Sequence, residues 1–342
     1  MKKVRILSID GGGIRGILPG IILSRLEEKL QVYSKDTNAR LADYFDLFSG
    51  TSTGGILSLS YLVPDENQRP CLSAKDAVNL YLDRGNEIFK VSTWQKIKSL
   101  GGIINEKYSA YQLEKELNNT FKDFWLKDLL KPCIISAYDV KNGKPHFFKQ
   151  HKSQNKIYNF KVRDVARATS AAPTYFKVAK VKNEINTSFP LLDGGVFANN
   201  PSLVAYSEAR TMSFEGKADF PTAKNMMIVS LGTGSKSQSY EYDKVKNWGQ
   251  IKWIKPVIEI MMSGNSSTTH YHLNQIFDTL KDIADKNAYY RLEPELLTAD
   301  TEMDNASVEN LRRLKEDALN FISNKTIDQQ LTTIAQKLIE ND

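Results

Sequence analysis

Phe45-Asp46-Leu47-Phe48-Ser49-Gly50-Thr51-Ser52-Thr53-Gly54-Gly55-Ile56 reads as a short apolar strand, a tight turn and the start of a helix. Ser52 stands at the centre of Gly50-x-Ser52-x-Gly54, the spacing of a nucleophile elbow. A serine on a sharp strand-to-helix turn carries its hydroxyl clear of the backbone. Glycines two positions away on either side leave room for neighbouring chain to approach. The helix expected over about residues 54–62 points its N-terminus at the same spot, where unpaired N–H groups and the helix dipole favour an alkoxide or an oxyanion. In a chain with 19 glycines the motif alone also fits an ordinary turn, so the other catalytic groups must be sought elsewhere.

Upstream, residues 4–9 form a compact apolar run bounded by Asp10-Gly11-Gly12-Gly13-Ile14-Arg15-Gly16. A helix follows, with Pro19 near its first turn and apolar positions at Ile21, Ile22, Leu26 and Leu30. Strand, glycine-rich loop and helix together make an anion-binding device built from backbone N–H groups. Three readings compete for the loop. Gly11-x-Gly13-x-x-Gly16 matches a dinucleotide fingerprint, but Asp36, the acidic residue near the required distance, lies in a polar stretch with no strand before it. A phosphate loop of the Gly-x-x-x-x-Gly-Lys-Ser/Thr type is not present. The third reading is an oxyanion hole serving Ser52.

Composition bounds the class. The 342 residues allow one large domain or two ordinary ones, with enough chain to bury a core without disulfides. Cys71 and Cys133 form no metal-type pair, and reduced thiols in a cytoplasmic protein are the expectation. No apolar run approaches a membrane span. The basic start resembles a signal peptide, but Arg5 and Asp10 interrupt it, and it reads better as a buried first strand. A net charge of +6 suits weak attraction to an anionic surface, of phospholipid or nucleic acid.

Further along, residues 74–89 and 110–125 carry helical patterns. Between them residues 89–104 alternate apolar and lysine residues; a surface helix is the first reading and a lipid-touching flap the second. Residues 132–138 read as a buried strand, with 145–148 as its hairpin partner. A small-residue helix begins at Val162 and stops at Pro173. Phe189-Pro190-Leu191-Leu192-Asp193-Gly194-Gly195 is an apolar run that places an aspartate at a strand end beside glycines, where α/β folds put functional groups. Asn199-Asn200-Pro201 looks like the cap of the next helix, and residues 226–231 form another strand. Lys246–Lys255, with two tryptophans, reads as a partly buried helix, with membrane or ligand contact as the alternative. Residues 307–339 read as two amphipathic helices.

A serine hydroxyl needs a base. The four histidines, His146, His151, His270 and His272, lie in no strand-end or glycine-rich setting. Asp193 is the better candidate, because a carboxylate touching Ser52 can take the proton itself, and partial desolvation raises its pKa toward working pH.

Asp10-Gly-Gly-Gly-Ile-Arg-Gly16, Gly50-Thr-Ser-Thr-Gly54 and Asp193-Gly-Gly195 together resemble the signature set of the patatin-like phospholipases, and Ser170-Ala-Ala-Pro-Thr-Tyr-Phe176 is similar to a further stretch of that family. The order and spacing match over residues 4–234. The resemblance implies a three-layer α/β/α fold with a central, mostly parallel sheet, and acyl-ester hydrolysis of membrane lipids. It implies Ser52 as nucleophile, Asp193 as base, Gly11, Gly12 and Gly13 as oxyanion hole, and Arg15 as a support for that loop or for the lipid phosphate. No metal or cofactor is required. Residues 1–234 are expected to form the catalytic core, and residues 235–342 a mainly helical extension packed on the same domain. The expected partner is membrane phospholipid, met by peripheral association; a cyclic nucleotide activator and a second copy of the chain are further candidates, and no DNA or RNA duplex is expected. Some bacterial relatives are silent until a signalling nucleotide or partner binds, which makes a gated effector of anti-phage defence one form of this reading. The rivals are a nucleotide-dependent enzyme using the glycine loop and a lipid-binding protein without turnover.

Overall fold

The computed structural model describes residues 2–88, 109–235, 240–280 and 288–340. The region proposed as surface helix or flap, residues 89–104, lies outside them. An eight-stranded mixed sheet organises the chain. Its strands are β1 (Val4–Ile9), β2 (Leu47–Thr51), β3 (Cys133–Asp139), β4 (Lys144–Lys149), β5 (Ala179–Lys182), β6 (Ser188–Asp193), β9 (Met226–Leu231) and β10 (Tyr289–Leu292); β7 (Ser213–Phe214) and β8 (Ala218–Asp219) form a separate small hairpin. The order is β10-β9-β1-β2-β3-β6-β5, parallel from β10 to β3 and antiparallel beyond, with β4 paired to β3. The parallel strands β1, β2 and β9 are buried along their whole length, as helices on both sides require.

Alternation along the strands assigns the layers. Val4, Ile6, Leu47, Met226 and Ile228 pack against helices Ser202–Ala209 and Gln250–Asp278. Leu7, Ile9, Phe48, Met227 and Val229 face the other layer, with helices Ile17–Ser34, Thr53–Ser60, Val162–Thr169 and Lys325–Glu340. The result is three-layer α/β/α.

The chain beyond Gly234 joins the central sheet. β10 pairs in parallel with β9 inside the central sheet, so the extension supplies a strand as well as helices. Helix Val308–Ser323 buries Leu311, Leu314 and Ala318 against Ile14, Ile17, Leu18 and Ile21. Arg5, beside the first strand's start, donates both to Asp46 and to the carbonyl of Leu338 at 3.1 Å, joining the two ends of the chain.

Candidate active site

β4 pairs with β3 from Ile134 to Asp139, so β2 and β6 must share the opposite edge of β3. β2 ends there with Thr51 opposite Ser136, and β6 arrives from the other direction with Asp193 opposite Ala137. Two strands thus meet head to head on one edge, and the residues at their tips, Ser52 and Asp193, come together. A side chain at Gly194 would strike Ser136, with a Cβ 2.5 Å from its carbonyl oxygen, so this junction demands glycine.

Ser52 has φ 55° and ψ −124°, a strained backbone for a residue with a side chain. The turn is held from outside. The Ser52 N–H donates to Thr169 Oγ1 at 2.8 Å, and the Thr169 hydroxyl donates to the Ser136 carbonyl at 2.7 Å. Gly54 lies so close to β1 that a Cβ would sit 2.1 Å from the Ile9 carbonyl oxygen. Helix Val162–Thr169 ends before Ser170, short of Pro173, and the Ala171 carbonyl beyond it accepts the Asp193 N–H at 3.1 Å.

Asp193 is buried, and burial pushes its pKa up to about 7; hydrogen bonds from the Ser52 hydroxyl and the Gly195 N–H, the latter 2.7 Å from Oδ1, restrain the rise. Both residues stand in the wall of an apolar cavity lined by Ile56, Leu117, Phe121, Phe176, Met262 and Met303 among others.

The glycine loop lies against the elbow. A Cβ on Gly11 would be 3.2 Å from Ser52 Cβ, and Gly13 has φ +59°. Gly11's N–H donates to the Asn199 carbonyl at 3.0 Å, whereas those of Gly12 and Gly13 have no partner among the described residues. Of the three glycines expected as donors, Gly11 thus has its N–H engaged within the fold. Arg15 donates to the carbonyls of Gly12 at 3.4 Å and Gly234 at 3.3 Å and does not line the cavity, so its place is that of a loop support. Asp36 is exposed on the turn after the first helix, with no strand leading to it, which removes the acidic partner of a dinucleotide site.

No histidine lines the cavity. His146 sits among Phe148, Phe160 and Phe189, where burial lowers its pKa to about 4; His151 meets Glu208 at 2.9 Å, His270 meets the Tyr289 hydroxyl at 3.1 Å, and His272 is exposed. Cys71 and Cys133 are free thiols. Trp248 and Trp253 are half-buried and in contact with each other, while Ile251 and Ile254 of helix Gln250–Asp278 are exposed. Among the described residues no helix is long and apolar enough to cross a membrane.

Several supporting residues carried no local signal. Arg291 in β10 holds Asp10, and Thr233 donates to the Gly11 carbonyl at 2.7 Å. Their nearness to the loop comes from strand pairing, which a single sequence does not display. Asn199 was legible only as part of a helix cap.

The fold and the site define an α/β/α protein whose serine elbow faces a buried aspartate. The family model described as patatin-like phospholipase matches residues 7–206. Patatin-like protein 1 of Arabidopsis thaliana is 33% identical, covering 99% of this chain and 86% of its own. Patatin-15 of Solanum tuberosum is 35% identical over 92% of this chain and 82% of its own, and probable inactive patatin-3-Kuras 1 of the same plant is 35% identical over 94% and 87%. The chain belongs to the patatin-like phospholipase family, and the likeness continues well past Gly234.

Proposed function

We propose that this protein is a phospholipase A-type lipid acyl hydrolase working through a Ser52–Asp193 pair. The observation that carries the reading is the strained Ser52 beside a buried carboxylate whose pKa burial pushes up to about 7, in the wall of an apolar cavity. Asp193 takes the hydroxyl proton as Ser52 attacks the acyl ester carbonyl. The N–H groups of Gly12 and Gly13 and the N-terminus of helix Thr53–Ser60 receive the oxyanion; each such donor is worth about 3 kcal/mol of barrier. The cavity holds the acyl chain, the lyso-lipid leaves with the proton, and water cleaves the acyl-enzyme.

The test is fatty-acid release from mixed phospholipid vesicles, read by mass spectrometry, for wild type and Ser52→Ala. Release lost by about 10⁴-fold or more in Ser52→Ala supports the proposal. Release that persists in Ser52→Ala, or none from folded wild type on any lipid, overturns it. Parallel arms with cyclic di- and trinucleotides test gating, the step on which an effector role in defence depends.

A further inference from the structure

We infer that the side-chain oxygen of Asn199 holds the water that releases the acyl group from Ser52. The inference rests on the acyl-hydrolase reading above and adds a residue to its second half.

The argument is one of hydrogen-bond polarity. Arg291 grips Asp10 with two donors, Nη1 to Oδ1 at 2.9 Å and Nη2 to Oδ2 at 2.6 Å, so Asp10 is held as a carboxylate and only accepts. Ser266 Oγ lies 3.2 Å from Asp10 Oδ2, and its one proton is committed there. Toward Asn199, 3.1 Å away, Ser266 therefore offers only lone pairs, and the amide must present Nδ2 to it. Oδ1 is turned the opposite way.

That way lies the catalytic centre. A Cβ built on Gly11 would be 2.5 Å from Asn199 Oδ1 and 3.2 Å from Ser52 Cβ. One built on Gly195 would be 3.3 Å from Asn199 Oδ1 and 3.1 Å from Asp193 Oδ1. Asn199 is 6% exposed, and among the described residues no donor reaches Oδ1. A buried acceptor without a donor is costly and calls for a role. Hydrolysis of the acyl-enzyme brings a donor with two protons to this place. In the step inferred here, the water oxygen attacks the acyl carbonyl, one proton passes to Asp193, and Asn199 Oδ1 accepts a hydrogen bond from the other without taking it. The tetrahedral intermediate then breaks its bond to Ser52 Oγ, Asp193 returns the proton to that oxygen, and the free fatty acid leaves.

The experiment separates the two halves of the reaction with a p-nitrophenyl ester of a medium-chain acid. Acylation is read as p-nitrophenol release with enzyme in excess, and deacylation as decay of the acyl-enzyme by intact mass. In Asn199→Leu, acylation should stay near wild type while deacylation slows about tenfold or more. Added hydroxylamine, a nucleophile needing less help than water, should restore turnover. Ser266→Ala, which frees the amide to rotate, should show the same pattern more weakly. Equal slowing of both halves, or no slowing of deacylation, overturns the inference. Should Asn199→Leu not fold, Asn199→Ala and Ser266→Ala make the same comparison. Wild type that forms no acyl-enzyme fails the underlying reading instead.

Discussion

Asp193 is a carboxyl group that burial has moved to the edge of neutrality, and two opposite pH trends follow from the one shift. As a base it must be ionised, so kcat/KM on a soluble ester should rise with pH and reach half its plateau near pH 7. A rate–pH profile checks this; a flat profile between pH 5 and 8 would remove Asp193 from the role. For stability the sign reverses. The folded pKa of about 7 lies above the ordinary aspartate value of 3.8, so between these values the folded protein keeps a proton that the unfolded chain has lost. The stabilisation is whole below about pH 4 and is lost as pH rises through about 7. Asp193→Asn carries no such charge. It should be inactive, and its Tm relative to wild type should increase from pH 5 to pH 8.

The elbow and its supports act as a unit at the level of elements. β2 and β6 share one edge of β3 and stop tip to tip, which sets the serine and the aspartate side by side. The elbow helix also leans on β1 through Gly54. In Gly54→Ala the new methyl would meet the carbonyl oxygens of Ile9 at 2.1 Å and Asp10 at 2.6 Å, both backbone atoms beside the glycine loop. Overpacking of this kind costs about 1–3 kcal/mol, and here it also displaces the loop that is to receive the oxyanion. The expected outcome is a lowered Tm together with a loss of turnover larger than the stability change explains, measured below the melting transition.

Taken whole, the molecule closes its sheet with the last third of the chain. β10 covers the edge of β9, and helices Val308–Ser323 and Lys325–Glu340 cover the outer face of helix Ile17–Ser34. From that same third come Ser266 and Arg291 on Asp10, and Met262 and Met303 in the cavity wall. Truncation after Gly234 would bare a strand edge and a large apolar surface and leave Asp10 unpaired in the interior. The shortened chain should be insoluble or lack fixed tertiary structure, as near-UV circular dichroism would report. A cooperative melt from that fragment would instead establish an independent core.

Local chemistry made much of this legible from residues alone. Three glycines after a buried strand, a serine between glycines, and an aspartate closing a strand each need a particular backbone, and such needs appear as short motifs. Most of the longer helices and strands of the first two-thirds of the chain are readable for the same reason, since burial imposes periodicity; the short β5 and the β7–β8 hairpin are not. Strand pairing decided the rest. That Gly11 spends its N–H on Asn199, that β10 joins the sheet, and that Arg291 reaches Asp10 across 281 positions depend on register between distant segments. Single residues such as Arg291 and Asn199 carry no pattern of their own, and their meaning arises only when the fold sets their hydrogen bonds in order.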